Sequence, residues 1–200
     1  MSIYALKPRF QALLRPLTAA LARAGVTANQ VTLAACAVSL AVAIFVAWNA
    51  GARWPFLLVP AWMFLRMAFN AIDGMLAREF GQKSRLGAYL NELTDVVSDA
   101  ALYLPFALVP PFTAWSVGTV VLLAAISEYA GVLGLMVGAT RRYDGPMGKS
   151  DRAFVFGALG LWIALVPALP GWAQYSMIAV AVALVATIVN RVRHGLLESQ

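Results

Sequence analysis

The stretch NAIDGMLAREFGQKSRLGAYLNELTDVVSDA, from Asn70 to Ala100, decides the fold because it places charged residues within two otherwise apolar segments. The chain as a whole has 200 residues, of which 62% are hydrophobic and only 12% are charged. Soluble globular domains are about 25% charged. The composition therefore predicts an all-α, polytopic membrane protein, and we expect a single membrane domain over residues 1–200.

Six segments are apolar over the length of about 20 residues that a transmembrane helix needs. Turn-forming residues separate them, for example Pro110 and Pro111 after the third segment. Residues 1–26 differ, because basic and leucine side chains are interleaved there in a pattern typical of an amphipathic helix in the membrane interface. The predicted spans, which together form a six-helix bundle over residues 28–190, are residues 28–49, 54–78, 87–109, 114–138, 152–169 and 172–190.

The distribution of lysine and arginine predicts how the helices cross the membrane. If the amino terminus is cytoplasmic, 13 of the 15 basic residues fall in cytoplasmic segments, which is the side that such residues prefer. We therefore expect both termini in the cytoplasm. The net charge of +6 then fits a basic face on the lipid bilayer, and we expect no nucleic-acid partner. The single cysteine excludes an internal disulfide, and the single histidine argues against a Ser-His-Asp triad.

Polar side chains form a stripe on each of two consecutive predicted helices, which are antiparallel and which we expect to face each other. Carboxylates inside a membrane are costly unless they are paired, hydrated or bound to metal, so they indicate function, and oxygen ligands suit Mg²⁺ or Mn²⁺. The alternative is that they form purely structural ion pairs with Arg66 and Arg78. The stripes comprise Asn70, Asp73, Gly74 and Ala77 on the first helix, and Gly87, Asn91, Asp95 and Asp99 on the second, with Glu92 at its edge.

The same residues resemble a family signature. From Asp73 the chain reads D-G-x₂-A-R-x₈-G-x₃-N-x₃-D, with the spacing of the pattern D-x₂-D-G-x₂-A-R-x₈-G-x₃-D-x₃-D of the CDP-alcohol phosphatidyltransferases. The resemblance implies a six-helix membrane enzyme, commonly dimeric, that displaces CMP from a CDP-alcohol with a second alcohol. The resemblance covers most of the chain, and the Asn-Glu-x₂-Asp variant of the signature is similar to that of a bacterial branch of the family. We therefore expect a multi-pass protein of the bacterial inner (cytoplasmic) membrane. Two of the four family aspartates are replaced here, by Asn70 and Asn91.

The resemblance also implies a metal site and catalytic roles. Asp73, Asp95 and Arg78 are the predicted catalytic residues, and Mg²⁺ or Mn²⁺ is the predicted cofactor. The two asparagines should weaken metal binding, since an amide offers an oxygen but no charge. They leave open a one-metal enzyme, an altered substrate or a loss of catalysis. The predicted metal ligands are Asn70, Asp73, Asn91 and Asp95, with Glu92 restoring part of the missing charge.

Two groups of residues are expected to bind the substrates. Asn29 and Thr32 either reach the nucleotide or cap the first span. The loop RRYDGPMGKSDR, residues 141–152, either holds a phosphorylated acceptor such as glycerol 3-phosphate or only obeys the orientation rule. Glu128 either pairs with Arg66 or lines the cavity. The full predicted substrate-binding set is Asn29, Thr32, Gly74, Ala77, Arg78, Lys83, Ser84, Arg85, Gly87, Arg141, Arg142, Lys149 and Arg152.

The function that these observations favour is phosphatidyl transfer from CDP-diacylglycerol to a small alcohol, phosphorylated or not, in phospholipid biosynthesis. We expect the active site at the cytoplasmic leaflet and, by resemblance, a homodimer. The alternatives are a catalytically weak or silent CDP-lipid-binding protein and a small transporter that uses the same cleft. The fixed spacing after Asp73 favours a nucleotide site over a transporter, whereas only turnover separates the enzyme from the silent relative.

Overall fold

The computed structural model describes residues 6–199, and the regular structure within that range is entirely helical. The prediction of an all-α fold is confirmed for this part of the chain. Residues 1–5 of the predicted interfacial segment lie outside the described residues. The seven α-helices are α1 Leu6–Arg23, α2 Ala28–Trp48, α3 Leu58–Glu79, α4 Arg85–Tyr103, α5 Ala114–Leu133, α6 Lys149–Leu165 and α7 Tyr175–Glu198, with short 3₁₀ turns between several of them.

Four helical segments within residues 6–199 are long and apolar enough to cross a membrane. They are Ala28–Trp48, Trp54–Glu79, Ala114–Val137 and Gly171–Glu198, which contain α2, α3, α5 and α7. The other two predicted spans correspond to α4, which carries three carboxylates along its length, and to α6, which has only 17 residues and begins with charged side chains. The finding supports a multi-pass membrane protein, and the arrangement with six spans stays a prediction.

Several helices begin where a side chain caps the first turn, and one of these caps helps to shape the site. The hydroxyl of Thr27 accepts from the backbone N–H of Gln30, whose side chain accepts in return from the backbone of Thr27. At the start of α4, the Ser84 Oγ accepts from the Gly87 N–H at 2.9 Å. The predicted substrate-binding residue Ser84 therefore also fixes the direction in which α4 leaves its loop.

The last helix differs most from the prediction, because α7 continues eight residues beyond the expected end at residue 190. Apolar residues become fewer there, but the buried residues keep their helical spacing. Leu184, Thr187 and Arg191 follow each other at steps of three and four residues, and all three are buried. The extension thus carries the guanidinium of Arg191 into the bundle.

The apolar core fills the end of the bundle at which α3 begins and α4 ends. Tyr103 stacks on Phe156 with ring centroids 3.8 Å apart, and Phe106 meets the same ring edge-on at 5.1 Å. These rings are fully buried with neighbours from α3, α5 and α7. The opposite end, where α3 ends and where α4 and α6 begin, holds the polar side chains. Helix α1 packs on this end of α3, where Arg15 pairs with Glu79 at 3.0 Å, and its position in the membrane interface stays a prediction.

Candidate active site

A cavity of about 1090 Å³ opens between α2, α3, α4 and α5 at the polar end of the bundle. Twelve of the eighteen predicted site residues line it: Asn29, Thr32, Asp73, Gly74, Ala77, Arg78, Lys83, Ser84, Gly87, Asn91, Glu92 and Arg141. Six are not among the described residues that form its wall, namely Asn70, Arg85, Asp95, Arg142, Lys149 and Arg152. The two polar stripes therefore meet at one cavity, whereas most of the basic loop before α6 lies outside its wall.

Two glycines allow close contacts in the cavity wall. A Cβ added to Gly87 would lie 2.8 Å from the Asn29 Oδ1, so α4 approaches α2 here more closely than a larger residue permits. A Cβ on Gly74 would lie 2.7 Å from the Arg78 Nη2. The predicted substrate-binding residue Gly74 is therefore covered by the guanidinium of Arg78, which lies against the helix and lines the cavity.

Asp73 is buried, and its carboxylate is oriented by α2. The Thr32 Oγ1 lies within donating distance of two acceptors, the Asp73 Oδ2 at 2.8 Å and the backbone oxygen of Ala28 at 3.0 Å. The sequence suggested a nucleotide contact or a helix cap for Thr32, and the structure adds a role in holding Asp73. This hydrogen bond joins α2 to α3 at the cavity wall.

Asp95 and Asp99 on α4 share one arginine of α3. The two guanidinium nitrogens of Arg66 lie 3.0 Å from the Asp95 Oδ1 and 2.5 Å from the Asp99 Oδ1. Asp95 also pairs with the Lys149 Nζ at 2.5 Å, and Asp99 with the Arg152 Nη2 at 3.0 Å. The structural ion pairs considered for Arg66 are thus present. Arg78, by contrast, has no carboxylate within ion-pair distance among residues 6–199.

Glu128 on α5 is a second centre of ion pairs, and it lines the cavity without contacting Arg66. Its carboxylate lies 2.9 Å from the Arg152 Nη2, 3.1 Å from the Arg141 Nη2 and 3.4 Å from the Arg191 Nη1. Arg141 in turn reaches Glu92 at 2.6 Å. Arg152 is only 1% exposed, so this predicted acceptor-binding residue is enclosed by carboxylates.

The remaining arginine of the loop, Arg142, turns away from the cavity. Its partners are Asp144, at 2.8 Å, and Glu198 at the end of α7. The hydrogen bond from Arg142 holds the pKa of Asp144 below its usual value. All four basic residues that the sequence assigned to a phosphorylated acceptor therefore have carboxylate partners within the protein.

The donor set for a metal ion is smaller than that of the family signature. Within residues 6–199, three or more His, Cys, Asp or Glu side chains do not converge in an arrangement suited to metal binding. Asp73 of α3 and Asp95 of α4 are the two signature aspartates that remain. Two carboxylates from adjacent helices, with the amide oxygens of Asn70 and Asn91 nearby in sequence, have the chemistry for one hard divalent cation. Arg66 and Lys149 already oppose the charge of Asp95, which leaves less negative charge for a second cation.

Two residues at this end of the bundle were missed by the sequence analysis. The Gln82 Oε1 accepts from the Ala28 N–H at 2.7 Å, and its Nε2 donates to the Val26 oxygen at 3.3 Å, which ties the loop before α4 to the start of α2. No sequence signal marks this neutral loop residue. Arg191 pairs with Glu128, and its spacing from Leu184 was the signal that could have identified it.

Comparison with known proteins places this architecture in a family. The sequence matches the model for CDP-alcohol phosphatidyltransferase over residues 25–189. It is 45% identical to the inner membrane protein YnbA of Escherichia coli (strain K12), over 100% of this chain and 98% of that protein. It is 27% identical to the phosphatidylinositol phosphate synthase of Streptomyces avermitilis, over 92% of this chain and 78% of the relative.

Solved structures show the same fold. The phosphatidylinositol phosphate synthase of Mycobacterium tuberculosis, in complex with manganese and citrate, superposes with a TM-score of 0.73 at 22% identity, covering 90% of this chain and 88% of that one. The structure of the same enzyme with CDP-DAG bound also gives a TM-score of 0.73, with 92% of its chain covered. With the family match over residues 25–189, these findings identify the chain as a member of the CDP-alcohol phosphatidyltransferases, a family of metal-dependent enzymes.

Proposed function

We propose that the protein transfers a phosphatidyl group from CDP-diacylglycerol to a small alcohol and releases CMP, as a step of phospholipid biosynthesis. The observation that carries this proposal is the cavity onto which the Asp73–Arg78 face of α3, the Gly87 turn of α4 and Asn29 of α2 all open. Ligand pockets commonly have volumes of about 300–1,000 Å³, so about 1090 Å³ provides room for a nucleotide together with an acceptor.

The donor is proposed to bind on the side of the cavity formed by α2, α3 and the start of α4. Arg78 and Lys83 line this side, and neither has a carboxylate within ion-pair distance in the described part of the chain. Their charges are therefore available to the diphosphate, for which a guanidinium is a preferred partner. The cytidine would lie towards Asn29, next to the close approach of Gly87.

The reaction is a displacement at phosphorus. The acceptor oxygen forms a bond to the phosphorus nearer the lipid, while the bond from that phosphorus to the CMP oxygen breaks and CMP leaves with its electrons. The hydroxyl proton is proposed to pass to the carboxylate of Asp95, which stands one helical turn after the cavity-lining Asn91 and which Arg66 and Lys149 hold in place. Arg78 stabilises the charge that develops on the diphosphate.

Mg²⁺ or Mn²⁺ is proposed as the cofactor, held by Asp73 and Asp95 with amide oxygens of Asn70 and Asn91. When bound, the cation would neutralise charge on the diphosphate and on the leaving CMP. Glu92, which the sequence suggested as a further ligand, is engaged by Arg141 at 2.6 Å. Its share in metal binding is therefore proposed to be small.

The proposed setting is the bacterial inner membrane, crossed by the six helices α2 to α7, with the cavity and both termini on the cytoplasmic side and two chains forming a homodimer. Internal ion pairs neutralise most of the charges of α4 and the start of α6, which supports the placement of these helices within a bundle.

Fusions to a topology reporter test this arrangement. Reporters placed after Gln82 and after Arg142 should give a cytoplasmic signal, and a reporter at Pro111 should give an external one. A cytoplasmic Pro111 would contradict the six spans.

The deciding experiment measures CMP release by purified protein from CDP-diacylglycerol, with Mg²⁺ or Mn²⁺ and a panel of small alcohols. Release that depends on an added alcohol, and a phospholipid product that contains it, are the expected results. The second candidate, a silent CDP-lipid-binding protein, is favoured by Asn70 and Asn91, which remove two charges from the signature. Binding of CDP-diacylglycerol without release of CMP by any alcohol would support that candidate and contradict the enzyme.

A further inference from the structure

We infer that the acceptor alcohol carries no phosphate or other anionic group, an inference that rests on the proposed function and specifies its second substrate. With Arg78 and Lys83 assigned to the donor, the acceptor is assigned to the remaining charged residues of the cavity wall towards α5. These are Glu92 of α4, Glu128 of α5 and Arg141 of the following loop, which are called the acceptor wall below. The wall presents two carboxylates and a single cation.

Charges behind the acceptor wall do not reverse this balance. Arg152 and Arg191 are each 1% exposed and pair with Glu128 from the protein interior, and Arg152 is shared with Asp99. Arg66 and Lys149 pair with Asp95 and Asp99. Apart from Arg78 and Lys83, which are assigned to the diphosphate of the donor, the groups named here and in the wall amount, with Asp73, to five carboxylates and five cations. Once the donor occupies Arg78 and Lys83, a phosphate on the acceptor would find no cation in the acceptor wall that lacks a carboxylate partner.

The hydrogen-bond donors of Arg141 indicate what the wall can bind instead. Its Nη2 donates to Glu92 at 2.6 Å and to Glu128 at 3.1 Å, and its guanidinium lies 4.2 Å from the centre of the Tyr143 ring. Its Nε and Nη1 are buried and have no partner among residues 6–199. These two nitrogens are closed off from the cavity, and Nη2 is already engaged, so the wall binds a hydroxyl through its two carboxylates, to which hydroxyl protons can be donated.

A phosphate at the same place would compete with Glu92 and Glu128 for one guanidinium. Either the two carboxylates would keep Arg141 and repel the phosphate, or the phosphate would take Arg141 and leave Glu92 without its ion-pair partner, while Glu128 keeps Arg152 and Arg191. Both outcomes weaken binding of an anionic acceptor, whereas an uncharged alcohol avoids both. The acceptor wall therefore selects by charge, before any recognition of the shape of the alcohol.

The test compares matched acceptors that differ only by a phosphate: glycerol with glycerol 3-phosphate, and inositol with inositol 1-phosphate. With CDP-diacylglycerol as donor, kcat/KM for CMP release should be at least about tenfold higher for the unphosphorylated member, which corresponds to about 1.4 kcal/mol. Glu92→Gln removes one carboxylate from Arg141 and should shift the ratio towards the phosphorylated member. Glu198→Gln removes a carboxylate from Arg142, outside the cavity, and should leave the ratio unchanged.

Equal or better use of the phosphorylated members by the unmodified protein would overturn the inference while leaving the proposed transferase intact. Absence of CMP release with every alcohol would instead contradict the transferase itself. In that case, inorganic phosphate is titrated into protein loaded with CDP-diacylglycerol, because this measurement needs no turnover. Saturable heat of binding would overturn the inference, and its absence would support it.

Discussion

Replacing Arg152 with methionine should destabilise the bundle, because this residue supplies positive charge to two buried carboxylates. Its Nη2 lies 3.0 Å from Asp99 and 2.9 Å from Glu128, and the residue is 1% exposed. Removing one partner of a buried ion pair costs about 3–5 kcal/mol. Asp99 keeps Arg66, and Glu128 keeps Arg191, so we expect a loss near the lower end, about 3 kcal/mol.

The free energy of unfolding is measured in detergent micelles by titration with a denaturing detergent, with tryptophan fluorescence as the signal. Arg142→Met is the matched control, since it makes the same chemical change in ion pairs with Asp144 and Glu198 that lie nearer the surface. It should destabilise the protein clearly less. Unchanged stability of Arg152→Met, together with a raised KM for the acceptor, would refute this reasoning and return Arg152 to the substrate-binding role that the sequence suggested.

The remaining predictions concern the cavity and its metal. Asp73→Asn should abolish CMP release from a protein that still folds, and near-normal turnover would show that this carboxylate is not essential. Gly87→Ala places a Cβ 2.8 Å from a side-chain oxygen of α2 and should weaken binding of CDP-diacylglycerol, whereas Gly118→Ala, with no other atom within 4 Å, should leave it unchanged. Chelation should stop turnover, and Mg²⁺ or Mn²⁺ should restore it. Asn70→Asp combined with Asn91→Asp should lower the metal concentration that gives half-maximal activity about tenfold, which corresponds to about 1.4 kcal/mol. An unchanged concentration would place the asparagines away from the metal.

Helix positions were largely predictable because the signals that set them are local. The predicted starts of the first and fourth spans, at residues 28 and 114, coincide with the observed starts of α2 and α5. In both cases a threonine, Thr27 or Thr113, precedes the helix and caps it. The meeting of the stripes that contain Asp73 and Gly87 also followed from helical spacing and from the short connection between antiparallel neighbours.

The partner of each charge was not predictable, because ion pairs inside a bundle depend on contacts between residues distant in sequence. Arg152 was assigned to a substrate because basic residues in a cytoplasmic loop and basic residues in a buried ion pair look alike in a sequence. The difference arises when the bundle assembles and the side chain of Arg152 on α6 reaches Asp99 of α4, 53 residues earlier. Arg191 was overlooked for a related reason, since apolar content fades near residue 190 although the buried face of α7 continues.

The two asparagines of the signature are consistent with this network. Besides Arg78 and Lys83, which are assigned to the donor, this end of the bundle has the five cations Arg66, Arg141, Lys149, Arg152 and Arg191. Carboxylates at positions 70 and 91 would raise the negative charges from five to seven, and the two added charges would favour bound metal ions. With amides at both positions these five cations match five carboxylates, and Arg78 and Lys83 remain for the substrate. Such a site binds a cation less tightly in the absence of substrate. The diphosphate of the donor then becomes the main source of negative charge for a metal. For this reason we expect added carboxylates at 70 and 91 to act mainly on the affinity for the metal.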